Sequence, residues 1–314
     1  MLIFITKRIL AAVPVLFIVT LIAFSLVYMI PGDAAVVAAG ENASPERIQE
    51  VRVQMGLDQP PVVQYFTWMG NLLRGDLGTS LISGHPNSSV IASAIPVTLS
   101  LTLLALTWSL VFGVIVGTFA GLYRGSWIDR SLTALTTLGL AVPTFWIGLL
   151  LVVTFALQLR WFPATGFTPI SEGLLPWLSH LILPALALGT TTAAEIARQT
   201  RAGMLDVLEH DYIRTATAKG LPNWMVIGKH TSQNAAIPVV TVFGLQAAAL
   251  IGGSVIIEQV FAMPGLGSLA LRSILERDFP VIQAFVVIVT LFVLLINLLV
   301  DISYAYFNPK VRQA

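Results

Sequence analysis

An all-α membrane protein that crosses the bilayer six times is what this sequence predicts, and composition, run length and charge placement each point there. Hydrophobic residues make up 56% of the 314 positions and charged residues 11%, with a mean hydropathy of +0.85, which is too apolar for a soluble domain. Six runs reach the roughly 20 apolar residues that cross a hydrocarbon core of about 30 Å. They fall at about 9–30, 97–123, 132–159, 178–197, 239–257 and 280–300. Ionisable side chains are nearly absent from the middle of these runs, as lipid demands. We therefore treat residues 1–314 as one membrane domain.

The first run follows Lys7 and Arg8; a cleavable signal peptide begins similarly, but this run is long for one and five more spans follow. Residues 31–96 form a long polar segment with its own helix signals. Ser44 and Pro45 mark a helix start and Gly56 a stop. Val62, Tyr65, Phe66, Met69, Leu72 and Leu73 form the stripe of an amphipathic helix, which suits packing on the bundle better than lying on the membrane. The second run carries scattered hydroxyls, the third contains Pro143 as an expected kink, and Trp161 and Trp177 suit an interfacial belt. Between the last two runs, Met263 to Gly267 reads as a turn before a short amphipathic helix.

Orientation follows from lysine and arginine. With both termini cytoplasmic, eleven of the 17 basic residues fall on that side and six on the other. The positive-inside rule then places residues 198–238 in the cytoplasm and the long loop 31–96 outside.

Within 198–238, Asp211 to Pro238 is an island of polar and small residues. Its pattern predicts two helices at a bend. Asp211 is placed to cap a first helix through Lys219, and Gly220 to end it in the left-handed conformation a residue without Cβ adopts cheaply. Pro222 suits the first turn of the second helix. Tyr212, Ala216 and Gly220 recur every four residues and share a face, small enough for close approach to another surface.

Catalytic chemistry is missing from the pattern. His85, His180, His210 and His230 have no metal-ligand spacing, and no phosphate loop, nucleophile elbow or HExxH pair occurs. With no cysteine and a net charge of +1, neither a thiolate site nor a nucleic-acid partner is indicated. Glu195, Glu258 and Asp301 sit at span ends, where we expect water access and structural pairing. Thr98, Thr102, Gln246 and Asn297 fit either a polar pathway or hydrogen bonds between helices.

Asp211 to Pro238 resembles the cytoplasmic EAA loop of binding-protein-dependent ABC importer permeases, in the form of the dipeptide, oligopeptide and nickel branch. RTATAKGL at Arg214 to Leu221, then His230, Asn234 and Pro238, carry the resemblance. It extends to IPGD at Ile30 to Asp33, MGLDQP at Met55 to Pro60, LLRGDLGTS at Leu72 to Ser80, PGLG at Pro264 to Gly267 and DISYAYFNPKVR at Asp301 to Arg312. The general Glu-Ala-Ala positions here hold Arg214, Thr215 and Ala216, so a glutamate contact does not transfer.

The resemblance implies a type I ABC importer permease fold in a prokaryotic inner membrane. It implies that Tyr212, Arg214, Thr215, Ala216, Lys219, Gly220 and Leu221 couple the chain to a cytoplasmic ATPase. The implied partners are a homologous permease, two ATP-binding cassette subunits holding ATP and Mg, and an extracytoplasmic substrate-binding protein; no cofactor is expected in this chain. Peptides are the implied cargo, with nickel chelates or glutathione as alternatives. An ion-gradient-driven secondary transporter is the competing class.

Overall fold

The computed structural model describes residues 2–29, 34–40, 43–54 and 56–307. The IPGD motif at Ile30 to Asp33, Met55 of MGLDQP, and the closing residues Asn308 to Arg312 lie outside them. The described residues form helices α1 (Leu2–Met29), α2 (Ala34–Ala39), α3 (Pro45–Gln54), α4 (Pro61–Leu73), α5 (Asn87–Leu122), α6 (Trp127–Ala141) and α7 (Thr144–Leu151). After these come α8 (Leu174–Leu208), α9 (Asp211–Ala218), α10 (Asn223–Met225), α11 (Ser232–Val260), α12 (Leu266–Glu276) and α13 (Phe279–Phe307). Among the described residues, five single helices are long and apolar enough to cross a membrane, and the bent pair α6 and α7 makes a sixth crossing if counted as one.

That pair departs from the expected single kinked span. Between Trp127–Ala141 and Thr144–Gln158 the path is bent by 103°. Val142 is extended (φ −85°, ψ 128°) and Pro143 caps α7, because the proline ring pushes the preceding residue out of the helical region. α7 then runs into a π-helical turn over Val152–Gln158. The other crossings are longer than their apolar runs. α5 and α8 have 36 and 35 residues, so at about 1.5 Å per residue each is about 50 Å long and outreaches the hydrocarbon.

The chain divides into two compact units. The first comprises residues 97–264 with the segment from Ile296 onward. Its core joins Leu101 and Ala105 of α5, Leu181 and Leu188 of α8, Leu250 and Ile257 of α11, and Phe261. α5 and α8 approach backbone to backbone. A Cβ at Gly113 would lie 2.7 Å from the Ala193 carbonyl oxygen, and one at Gly117 would overlap the Ala197 carbonyl and Thr200. Ser109 Oγ crosses the same seam, donating to Gly189 O at 2.8 Å. Small residues are what permit this packing where lipid removes the hydrophobic drive between helices.

The second unit comprises residues 2–96 and 265–295. The amphipathic stripe is α4, and it packs: Tyr65 is buried, meets Phe17 and Phe24 of α1 edge-on and hydrogen-bonds Thr20 at 3.0 Å. Val62, Phe66 and Leu73 stay exposed, so only part of the stripe is used. α3 starts as expected, with the Arg47 amide donating to Ser44 Oγ at 3.3 Å. Asp278 is buried and accepts from Ser80 Oγ at 2.5 Å and from the Leu81 amide at 3.1 Å. This ties the LLRGDLGTS segment to the junction of α12 and α13.

Candidate functional site

α9 stands between the end of α8 and the start of α11, and its inner face is anchored. Ile213 and Ala216 are buried with Met204 and Val207 of α8, Val226 of the turn that follows α10, and Ala235 of α11; Leu221 packs against the same cluster. Tyr212, Arg214, Thr215, Lys219 and Gly220 are exposed on the other side. Ala216 therefore does not extend a small outward face between Tyr212 and Gly220. Its smallness lets α9 sit close to its own chain.

Two further expectations change in detail. The cap of α9 is His210, extended at φ −73°, ψ 145° with no side-chain capping bond, while Asp211 is the first helical residue, where a carboxylate favours the helix dipole. Its contact with Arg214 at 3.5 Å joins side chains 96% and 72% exposed, and such a pair contributes little. Pro222 precedes α10 by one residue instead of lying inside it, and its carbonyl accepts from the Met225 amide at 2.9 Å. Gly220 is left-handed as expected, at φ +76°. The side chains of His230 and Asn234 lie outside the description. Trp224 of α10, which the polar pattern of the island does not single out, is 72% exposed; an aromatic residue inside a polar island is the signal that marks it.

Around this joint the structure assembles an ion pair the sequence did not suggest. Arg201 of α8 holds Asp129 of α6 with both prongs, Nε to Oδ1 at 2.7 Å and a terminal nitrogen to Oδ2 at 2.9 Å. The Gly125 amide and Thr133 hydroxyl add bonds at 2.9 and 3.3 Å. The Asp129 side chain is 6% exposed and that of Arg201 32%. A bidentate, hydrogen-bonded pair of this kind fixes direction as well as distance. It pins the α5–α6 turn to α8 ahead of the α9 joint. Arg124 and Glu209 form a second, exposed pair at 2.5 Å.

The expected pathway residues are dispersed. Thr98 and Thr102 are buried, Gln246 is half-buried and Asn297 exposed. Glu258 is fully buried instead of meeting water, and it accepts from Thr98 Oγ1 at 2.7 Å and Ser254 Oγ at 3.0 Å. Hydroxyl donors take the place of solvent there. Among the described residues no group of His, Cys, Asp and Glu gathers in a metal-binding arrangement.

A family model described as "Binding-protein-dependent transport system inner membrane component" matches residues 113–313, and the N-terminal model of such components matches residues 1–102. The chain belongs to this family. The permease is 45% identical over 308 residues, 98% of both chains, to a Brucella abortus (strain 2308) protein provisionally named a peptide transport system permease. It is 44% identical over 312 residues, 99% of both, to the glutathione transport system permease GsiC of Escherichia coli O6:H1. Among solved structures, an inward-facing form of the MetNI methionine ABC transporter matches with a TM-score of 0.59 at 18% identity, over 70% of this chain and 97% of that one, and this likeness concerns the fold. Membership decides between the transporter classes: the permease is a multi-pass inner-membrane subunit of an ABC importer, not an ion-driven carrier. The family is the membrane component of such importers and not their ATPase.

Proposed function

We propose that this permease forms, with a homologous permease subunit, the translocation pathway for peptides delivered by an extracytoplasmic binding protein, and that two ATP-binding subunits drive it by gripping α9. ATP and Mg belong to those subunits. The observation that carries the reading is the two-sidedness of α9. Its outer face offers Tyr212, Arg214, Thr215 and Lys219, and α10 adds the exposed Trp224, while Ile213 and Ala216 lock its inner face to α8 and α11. A pull on the outer face is then passed to two spanning helices instead of being lost in a loop. Arg214 and Lys219 suit acidic groups at the rim of a docking groove, and Tyr212 and Trp224 supply apolar area of the kind that anchors interfaces.

The charge asymmetry supports a cytoplasmic position for α9 and for both termini. The relatives' names support peptides, and the name of GsiC supports the tripeptide glutathione as a second reading. Uptake by the reconstituted importer decides between these. Labelled oligopeptides driven by ATP, with glutathione failing to compete, is the expected result; uptake of glutathione alone establishes the second reading, and uptake without co-purifying ATPase subunits contradicts the proposal.

A further inference from the structure

The second unit contains an open cavity of 490 Å³, away from α9 in the sequence, and its chemistry is specific. Its described lining contains no charged residue. Trp68 and Phe279 supply apolar wall, and Asn71 and Gln283 supply amides. Gln283 is 7% exposed, lines the cavity, and its side-chain amide makes no hydrogen bond to a described residue. That amide is therefore available to a ligand in the cavity, as donor and as acceptor.

Thr79 provides a second, independent feature. It pairs with Pro86 in an antiparallel bridge, flanked by bonds from the Asn87 amide to Gly78 O at 2.9 Å and from the Ser80 amide to His85 O at 3.0 Å. In that pattern the N–H and C=O of Thr79 turn away from Pro86. Neither bonds to a described residue, and Thr79 lines the cavity. It is a free strand edge, which an extended main chain can join.

We propose that this cavity binds an extended, uncharged oligopeptide segment, its main chain pairing with the edge at Thr79 and the amide of Gln283, and its apolar side chains lying against Trp68 and Phe279. Main-chain amides need alternating donors and acceptors, which a strand edge and a carboxamide both offer. The described lining offers no charged partner to free termini or ionised side chains, so an uncharged segment fits it better. The volume falls in the range of small-ligand sites. Binding at this cavity requires neither α9 nor nucleotide.

The full-length chain in lipid nanodiscs, without partner subunits, is labelled with a diazirine-bearing capped tripeptide, acetyl-Ala-photoleucine-Ala-amide, and the adducts are mapped by mass spectrometry. Labelling is expected within Trp68–Leu81 and Phe279–Gln283, displaced by acetyl-Ala-Leu-Ala-amide and not by the zwitterionic tripeptide. Gln283→Leu is expected to weaken binding about tenfold, the worth of one buried hydrogen bond. Asn71→Ala, at an exposed position, keeps the test decisive if the first variant misfolds, and is expected to weaken binding about threefold. Labelling elsewhere, equal competition by the zwitterion, displacement by maltose instead of peptide, or unchanged binding in folded variants overturns the proposal.

Discussion

Gly220 ends α9 at φ +76°, and a Cβ built there meets no atom within 4 Å. Substitution is therefore a backbone problem and not a packing one. Gly220→Val should cost about 1–2 kcal/mol locally, and relaxation would turn the end of α9 away from its anchors. We expect normal amounts of the subunit in the membrane with uptake reduced about tenfold or more; unchanged uptake in a normally assembled importer would count against α9 as the joint. Asp129 and Arg201 make the complementary case. Arg201→Ala leaves a carboxylate that is 6% exposed without its bidentate partner, a loss of about 1–3 kcal/mol, read as a lower melting temperature in detergent. Arg201→Lys should recover only part of it, because an ammonium cannot occupy both oxygens in one plane.

Among the elements, the α5–α8 seam in the first unit depends on glycine facing backbone. Gly117→Leu would drive a side chain into the Ala197 carbonyl and Thr200. Backbone cannot yield there as a flexible side chain can, so the helices must separate. Loss of folded protein from the membrane is the expected result, measured by protease resistance, and a fully resistant Gly117→Leu protein would show that the seam is not needed. The elements also show what the sequence could reveal. The spanning runs, α3, α4 and the left-handed Gly220 were legible because hydropathy, capping and glycine chemistry are local. The extra turns of α8 were not, since polar residues such as Arg198 and Arg201 continue a helix while ending its apolar run. The 103° break at Pro143 was underestimated because a proline marks where a helix yields but not how far. The inward face of α9 and the grip of Arg201 on Asp129, 72 positions apart, depend on tertiary neighbours that no local pattern encodes. Membership in the family, by contrast, rested on several short motifs in the right order, and those are visible in sequence.

For the whole molecule, α9 is a short handle rooted in α8 and α11, and the importer is proposed to move when that handle is pulled. The handle has an outside, with Tyr212, Arg214, Thr215 and Lys219, and an inside, with Ile213 and Ala216. The chain contains no cysteine, so an introduced thiol is its sole attachment point for a probe. A benzophenone maleimide on Thr215→Cys, compared with the same probe on Ala216→Cys, in the importer assembled with its ATPase subunits, is the most direct test. A cross-link from position 215 to an ATPase subunit is expected, with a yield that changes when ATP is added. Little modification is expected at position 216, where Ala216 is only 9% exposed. Equal labelling at both positions, or a cross-link to the ATPase only from position 216, would contradict this assignment of the two faces.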